Sequence, residues 1–86
     1  MYYAYVIKSQ FSGKIYIGQT NNLKKRLKRH NKIISSKKTS YTYKNKGPWA
    51  LVYKEKFPNR KDAIRREKQL KTAQGRKFIK KLILHP

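Results

Sequence analysis

The fold of this chain is set by the eight residues GKIYIGQT at positions 13–20. Apolar and polar side chains alternate over residues 14–20, which predicts a β-strand. Both isoleucines would face one side of a sheet, and Lys14, Tyr16 and Gly18 would face the other. Because glycine carries no side chain, we expect Gly18 to leave open space beside Tyr16.

The neighbouring residues extend this strand into a β-β-α unit. Residues 2–8 are rich in aromatic and β-branched side chains and predict a first strand. A turn at residues 9–13 would join the two strands as an antiparallel hairpin, although the sequence does not fix its register. N-cap candidates follow at 20–22, and a helix is expected from about Leu23 to about Asn31.

The next segment separates this unit from a third strand. Residues 32–48 show no clean period and predict a loop, and loops of this length are usually functional or disordered. Residues 49–57 alternate in character and predict a β-strand.

Two further helices are expected at the end of the chain. Asn59 is an N-cap candidate, Asp62 stands at capping-box spacing from it, and the helical pattern continues to Leu70. Gly75 is expected to break the pattern before a last short amphipathic helix. The order β-β-α-β-α-α predicts one α+β domain over residues 1–86, with a three-stranded antiparallel sheet flanked by helices.

The charge balance points to a polyanionic partner. Lys and Arg number 24 against three Asp and Glu, which gives a net charge of +21 over 86 residues. Nucleic acid is the commonest partner of such a domain. A membrane surface is the competing partner, but it favours a basic amphipathic helix or a clustered basic tail, whereas this charge is spread along the chain.

Composition also excludes several classes of site. The chain has no cysteine, which rules out a disulfide framework, a thiolate zinc site and a cysteine nucleophile. No targeting segment is recognisable, and no apolar run approaches the roughly 20 residues that span a bilayer. We therefore expect a cytoplasmic protein without a membrane partner.

Glu67 is the strongest candidate among the acidic residues for a catalytic or metal-binding role. At 100° per residue it lies about 40° from Ala63 and about 60° from Ile64 and Leu70, within the apolar stripe of its helix. A carboxylate buried there is costly unless it is paired or bound to a metal. The structural alternative is a salt bridge to a distant lysine or arginine.

The other two acidic residues have structural explanations. Asp62 is a cap partner at the start of its helix. Glu55 stands between Lys54 and Lys56 in the third strand, where an ion pair accounts for it.

Arg26 and His30 are four residues apart on one helix and would project to the same side. An arginine there would grip a phosphate in a forked geometry, and a histidine would move protons. The alternatives are a solvated basic face for Arg26 and a partly buried helix residue for His30. For Tyr5 and Tyr16, the alternative is that tyrosines simply fill strand faces.

Taken together, these residues resemble the GIY-YIG nuclease superfamily. Tyr3-Ala4-Tyr5 is followed eleven residues after its last tyrosine by Tyr16-Ile17-Gly18, then by Arg26, His30 and finally Glu67. The second triplet is intact, whereas the first has tyrosine in place of glycine and alanine in place of isoleucine. Residues 63–71, with the Gly-Arg pair at 75–76, are similar to the small single-domain bacterial branch, which includes domains like the N-terminal domain of the excision-repair incision subunit.

The resemblance implies a role for each residue. Glu67 would hold Mg²⁺ or Mn²⁺, and Tyr16, or a water that it orients, would take part in proton removal from the attacking water. Arg26 would neutralise the scissile phosphate, with His30 and Tyr5 completing the polar site. Lys14 would lower the pKa of a nearby tyrosine. Many members carry an asparagine beyond the glutamate helix, and residues 75–86 contain none, which puts one supporting contact in doubt.

The sequence thus predicts a metal-dependent endonuclease that cuts DNA, in repair or recombination, without a small-molecule cofactor. RNA is the alternative substrate. One alternative function is a basic nucleic-acid-binding module that keeps the fold but cuts poorly, and another is a ribosomal type of RNA-binding protein. Residues expected to contact nucleic acid are Lys14, Arg26, Arg29, Lys37, Lys38, Tyr41, Tyr43 and Arg65.

Overall fold

The computed structural model describes residues 1–31 and 48–84. Within these ranges the order of elements is β-β-α-β-α-α, which confirms the predicted α+β arrangement. The strands and helices are β1 Tyr2–Ser9, β2 Ile15–Thr20, α1 Leu23–His30, β3 Trp49–Phe57, α2 Arg60–Leu70 and α3 Ala73–Leu84. The three strands form one antiparallel sheet in the order β2-β1-β3, so β1 is the central strand.

Local signals place the boundaries of several elements. The side chain of Asn22 accepts from the Lys25 N–H at 3.0 Å, and that of Asn59 accepts from the Asp62 N–H at 2.9 Å, so both act as N-caps. The predicted β1–β2 turn is confirmed: the Ser9 N–H donates to the Lys14 carbonyl at 2.8 Å.

Helices cover both faces of the sheet. On one face, the core comprises Ala4, Val6 and Ile17 from the strands with Leu70 and Ile79 from α2 and α3. On the opposite face, the core comprises Tyr5, Ile7 and Trp49, against which Tyr16, Leu51, and Leu23 and Leu27 of α1 pack. Alternate side chains of β1 therefore contribute to the two cores on opposite faces of the sheet. The residues of β1 from Ala4 to Ile7 are all fully buried. No helix in the described ranges is long and apolar enough to cross a membrane.

An irregularity in β3 divides this strand between the two cores. Val6 lies opposite Tyr53, but the next residue, Ile7, lies opposite Leu51. Val52 is thus an extra residue on β3, which reverses the direction of the side chains beyond it. Trp49 and Leu51 pack on the α1 side, whereas Tyr53 packs on the α2 side.

Gly75 does not break the helical pattern, contrary to the sequence expectation, because α3 already begins at Ala73. The helices instead separate at residues 71–72, and the Thr72 hydroxyl accepts from the Gly75 N–H at 3.2 Å. A Cβ on Gly75 would lie 2.6 Å from the Leu70 Cα and would also collide with the Gln69 carbonyl oxygen. This position requires glycine because α3 starts directly against the backbone end of α2.

We therefore expect Gly75→Ala to destabilise the fold by about 1–3 kcal/mol, since the added methyl group forces two backbones apart. Gln74→Ala is the matched control: it adds no atom at this contact and should change the free energy of unfolding by less than about 0.5 kcal/mol. Urea unfolding followed by circular dichroism measures both. Equal stability of the Gly75→Ala variant and the wild type would contradict the close approach.

Candidate active site

Tyr5 lies at the centre of the candidate site. It is fully buried in the middle of β1, directly opposite Gly18 of β2. Tyr16 lies on the same face of the sheet, with its ring centroid 6.2 Å from that of Tyr5. Above this face runs α1, which carries Arg26 and His30 one turn apart, as their spacing predicted.

Hydrogen bonds join these side chains into a network. The Tyr5 hydroxyl lies 2.8 Å from Nε2 of His30, and Nε of Arg26 donates to the Tyr5 oxygen at 3.3 Å. Tyr16 also interacts electrostatically with Arg26 and helps to raise the pKa of its guanidinium. The His30 ring packs against Tyr16, with centroids 4.9 Å apart. The structure thus brings together four of the five residues expected to be catalytic.

Burial determines the protonation states in this network. Burial raises the pKa of Tyr5 above its ordinary value, although the Arg26 charge offsets part of the rise, so Tyr5 keeps its proton at neutral pH. Burial, assisted by the positive charge of Arg26, lowers the pKa of His30 to about 4. Because Arg26 already donates to the Tyr5 oxygen, we infer that Tyr5 donates to neutral His30.

Arg26 stays charged in this environment. Burial alone lowers the pKa of its guanidinium, but its contacts with Tyr5 and Tyr16 outweigh that effect, so the pKa lies above its usual value. A permanent positive charge is thus held beside two phenol groups.

The buried histidine makes stability depend on pH. Folding lowers the pKa of His30 from 6.5 to about 4, so the unfolded chain takes up a proton first as the pH falls. Its contribution is therefore fully present above about pH 6.5 and is lost toward pH 4. Between pH 7 and pH 5, we expect the free energy of unfolding to fall by about 2 kcal/mol.

Urea denaturation of wild type and of His30→Gln at both pH values measures this effect. The variant has no titrating ring and should lose most of the dependence, while His85→Gln, the control at the other histidine, should retain it. A pH dependence that is equally large in His30→Gln would assign the effect to another group.

Gly18 does not leave open space beside Tyr16, contrary to the sequence expectation. A Cβ at this position would lie 2.8 Å from the Tyr5 hydroxyl and 2.9 Å from Cε2 of Tyr16. The two tyrosine side chains occupy the room that the missing side chain provides. Glycine is needed here so that both can lie across β2.

Glu67 is partly buried on α2, with 20% of its side chain exposed, and its Oε1 accepts from Nζ of Lys71 at 3.0 Å. Its partner is therefore the lysine one turn along the same helix, not a distant residue. The negative charge of Glu67 also contributes to the raised pKa of Tyr5, so its field reaches the tyrosine network. Among the described residues, no group of three or more His, Asp or Glu side chains is placed to hold a metal ion.

Glu55, a second acidic residue, belongs to a structural cluster. Its Oε2 accepts from the Tyr53 hydroxyl at 2.6 Å and from Nε of Arg66 at 2.8 Å. These donors outweigh the effect of burial and hold the pKa of Glu55 below its ordinary value. The expected ion pair is present, but its partner is Arg66 on α2, because Lys54 and Lys56 alternate to the opposite face of the strand.

The described residues among those expected to bind nucleic acid lie on different parts of the fold. Lys14 precedes β2, Arg29 lies on α1 and Arg65 on α2, and all three are exposed. Lys37, Lys38, Tyr41 and Tyr43 fall outside the described residues. The interface role of all these residues stays a prediction.

A basic cleft beside the tyrosine network was not predicted. It has a volume of about 290 Å³ and lies where β2 leads into α1 and meets the first residue of α2. Its charged lining consists of Lys25, Arg26, Arg29 and Arg60, and Gln19 also borders it. We call it the helix-start cleft. The N-caps of both helices were readable from sequence, but their proximity depends on tertiary structure.

Comparison with known proteins identifies the class of this arrangement. A family model described as the GIY-YIG catalytic domain matches residues 1–81. The chain therefore belongs to the GIY-YIG family, a nuclease family, and a nuclease domain implies a nucleic-acid substrate.

Particular relatives are small bacterial proteins. A UPF0213 protein of Clostridium perfringens is 41% identical over 71 residues, covering 83% of this chain and 71% of the relative. A UPF0213 protein of Staphylococcus haemolyticus is 34% identical over 79 residues, covering 92% of this chain and 90% of the relative. The solution NMR structure of a UPF0213 protein from Bacillus halodurans has a TM-score of 0.55 at 27% identity, covering all of this chain and 89% of that one.

Proposed function

We propose that the chain is a divalent-metal-dependent endonuclease that hydrolyses phosphodiester bonds in DNA, in repair or recombination. The observation that carries the proposal is the network of Tyr5, Tyr16, Arg26 and His30, in which a charged guanidinium is fixed beside a tyrosine. A net charge of +21 supports binding of a polyanion. The family supports cleavage as the reaction.

The residues present fit a weak divalent-metal site. Mg²⁺ is commonly bound by one or two carboxylates together with water and substrate phosphate oxygens, so a single carboxylate is sufficient on the protein side. Glu67 is a partly buried carboxylate, and its present partner Lys71 is a half-exposed side chain that can move away. When bound, Mg²⁺ or Mn²⁺ would polarise a phosphoryl oxygen and stabilise the leaving oxygen.

Each protein side chain would have a distinct part in hydrolysis. Arg26 would neutralise the phosphoryl oxygens as the water oxygen bonds to phosphorus and the bond to the leaving oxygen breaks. Tyr16 would orient the attacking water and take part in removing its proton. Tyr5 and His30 would act as positioning residues, because their mutual hydrogen bond occupies Nε2 of His30 and orients the hydroxyl that holds Arg26.

A second candidate function is a nucleic-acid-binding module with little cleavage. Two observations favour it. The Lys71 ammonium pairs with the carboxylate expected to hold the metal. In addition, Tyr3 and Ala4 stand where the family usually has glycine and isoleucine.

Incubation with supercoiled plasmid and with branched DNA separates these functions. An endonuclease nicks the plasmid in Mg²⁺ or Mn²⁺ and not in EDTA, and faster cutting of branched DNA supports a role in repair or recombination. A binding module retards both DNAs in a gel but cuts neither under any of these conditions. That outcome would overturn the proposed activity.

A further inference from the structure

The helix-start cleft adjoins the proposed reaction site. Arg26 contacts Tyr5 and also lines the cleft. A strand whose scissile phosphate contacts Arg26 therefore passes directly beside this second concavity. Lys25, Arg29 and Arg60 approach from two different helices, so the cleft is formed by the tertiary fold and not by one run of basic sequence.

The electrostatics of the cleft favour an anion. Four cationic side chains line it, and none of its lining residues is acidic. In the described ranges, the two salt bridges are Glu55–Arg66 and Glu67–Lys71, neither of which involves a cation of the cleft. Like charges around one concavity repel each other, and an anion between them relieves that repulsion. The positive end of the α1 dipole adds to the same field.

A buried acceptor provides a second, independent observation. Gln19 borders the cleft, and its side-chain oxygen is buried without a hydrogen-bond partner among the described residues. A buried acceptor without a donor is costly, so a shift of the Gln19 side chain that brings its oxygen to a donor on a ligand in the cleft is favoured. Inorganic phosphate at neutral pH offers mainly acceptors, whereas a nucleotide carries amino or hydroxyl donors together with its phosphate.

We propose that the helix-start cleft binds a second backbone phosphate of the same nucleic-acid strand, next to the phosphate that contacts Arg26. This inference rests on the proposed function for the location of the first phosphate. Lys25 and Arg60 contact the second phosphate, and Gln19 accepts a hydrogen bond from the attached nucleotide. The cleft thereby holds the strand in one position relative to Tyr16.

The test compares two short ligands that differ by one nucleotide and therefore by one backbone phosphate. The thymidine dinucleotide dTpT has one backbone phosphate, and the trinucleotide dTpTpT has two. Binding to the full chain is followed by amide chemical shifts in EDTA, so that no cleavage is needed. We expect wild type to bind the trinucleotide about tenfold more tightly, as one additional charge-assisted contact provides.

Variants of the cleft residues test which side chains cause the tighter binding of the trinucleotide. In the double variant Lys25→Gln with Arg60→Gln, the trinucleotide advantage should fall below about twofold. The matched control, Lys77→Gln with Lys80→Gln, removes the same charge from exposed positions on α3 and should keep the advantage. Arg60→Lys retains the positive charge and should keep most of the trinucleotide advantage. Because all four positions are exposed, the folded amide spectrum should persist in every variant.

Three results would overturn the inference: equal affinity of wild type for both ligands, a full advantage in the Lys25 and Arg60 double variant, or saturation of the cleft amides by inorganic phosphate as tightly as by the trinucleotide. Failure of the proposed nuclease function can be told apart from failure of the proposed phosphate site. A chain that does not nick plasmid but shows the variant-sensitive advantage has the phosphate site without the activity. A chain that nicks plasmid without this advantage has the activity without the site.

Discussion

Glu67→Gln is expected to reduce DNA cleavage by about 10²- to 10³-fold, because it removes the carboxylate that we propose holds the divalent ion. DNA affinity should stay the same or rise slightly, since the change also removes a negative charge near phosphate. Fold stability should change little, because the pair with half-exposed Lys71 contributes little. Initial rates of plasmid nicking in Mg²⁺ test the effect on cleavage. DNA affinity measured in EDTA tests the effect on binding.

Two control variants isolate the role of the carboxylate. Glu55→Gln makes the same chemical change in the cluster with Tyr53 and Arg66, and should lower stability but leave the nicking rate within about threefold. Lys71→Gln frees the Glu67 carboxylate and should preserve or raise the rate. If Glu67→Gln keeps more than about a tenth of the wild-type rate, the metal assignment is wrong.

Tyr16→Phe is expected to lower the rate of cleavage by about 10² to 10⁴, the usual effect of losing a group that takes part in proton transfer. The ring keeps its packing against Tyr5 and His30, so only the hydroxyl and its electrostatic interaction with Arg26 are lost. The melting temperature should therefore change little. Rates under saturating DNA, with thermal unfolding of the same preparations, measure the two effects separately.

Tyr53→Phe is the matched control on the opposite face of the sheet. It removes a hydroxyl that donates to Glu55 at 2.6 Å, so it should cost about 1–2 kcal/mol of stability and leave the rate unchanged. The reverse outcome for Tyr16→Phe, a large loss of stability with an unchanged rate, would make Tyr16 a structural residue.

Much of the fold could be predicted because its signals are local. The alternation in β1 and β2, and the N-caps Asn22 and Asn59, each depend on a few neighbouring residues. The bulge at Val52 has no such signal: Leu51 and Tyr53 are both apolar and two residues apart, which is the pattern of one continuous strand face. The need for glycine at position 75 was missed for a related reason, since it arises from a contact between two helices.

The residues of the candidate site could be predicted from the sequence, but the contacts between them could not. The spacing of Arg26 and His30 placed them on one side of a helix, as found. The central position of Tyr5 depends on its register with Gly18, which no feature of the sequence specifies. The four-residue spacing from Glu67 to Lys71 was readable as a helical ion pair, but the sequence expectation for Glu67 was a bound metal, with a salt bridge to a distant lysine or arginine as the alternative.

We propose that this chain itself hydrolyses DNA with a metal held by Glu67. The most direct measurement is the rate of supercoiled-plasmid nicking by the wild type and by Glu67→Gln, purified in parallel and assayed in Mg²⁺ at equal concentration. We expect the wild type to nick the plasmid in a reaction that EDTA stops, and the variant to be slower by a factor of at least about one hundred. Equal rates in both preparations, or no nicking by a wild-type chain that binds the plasmid, would contradict it.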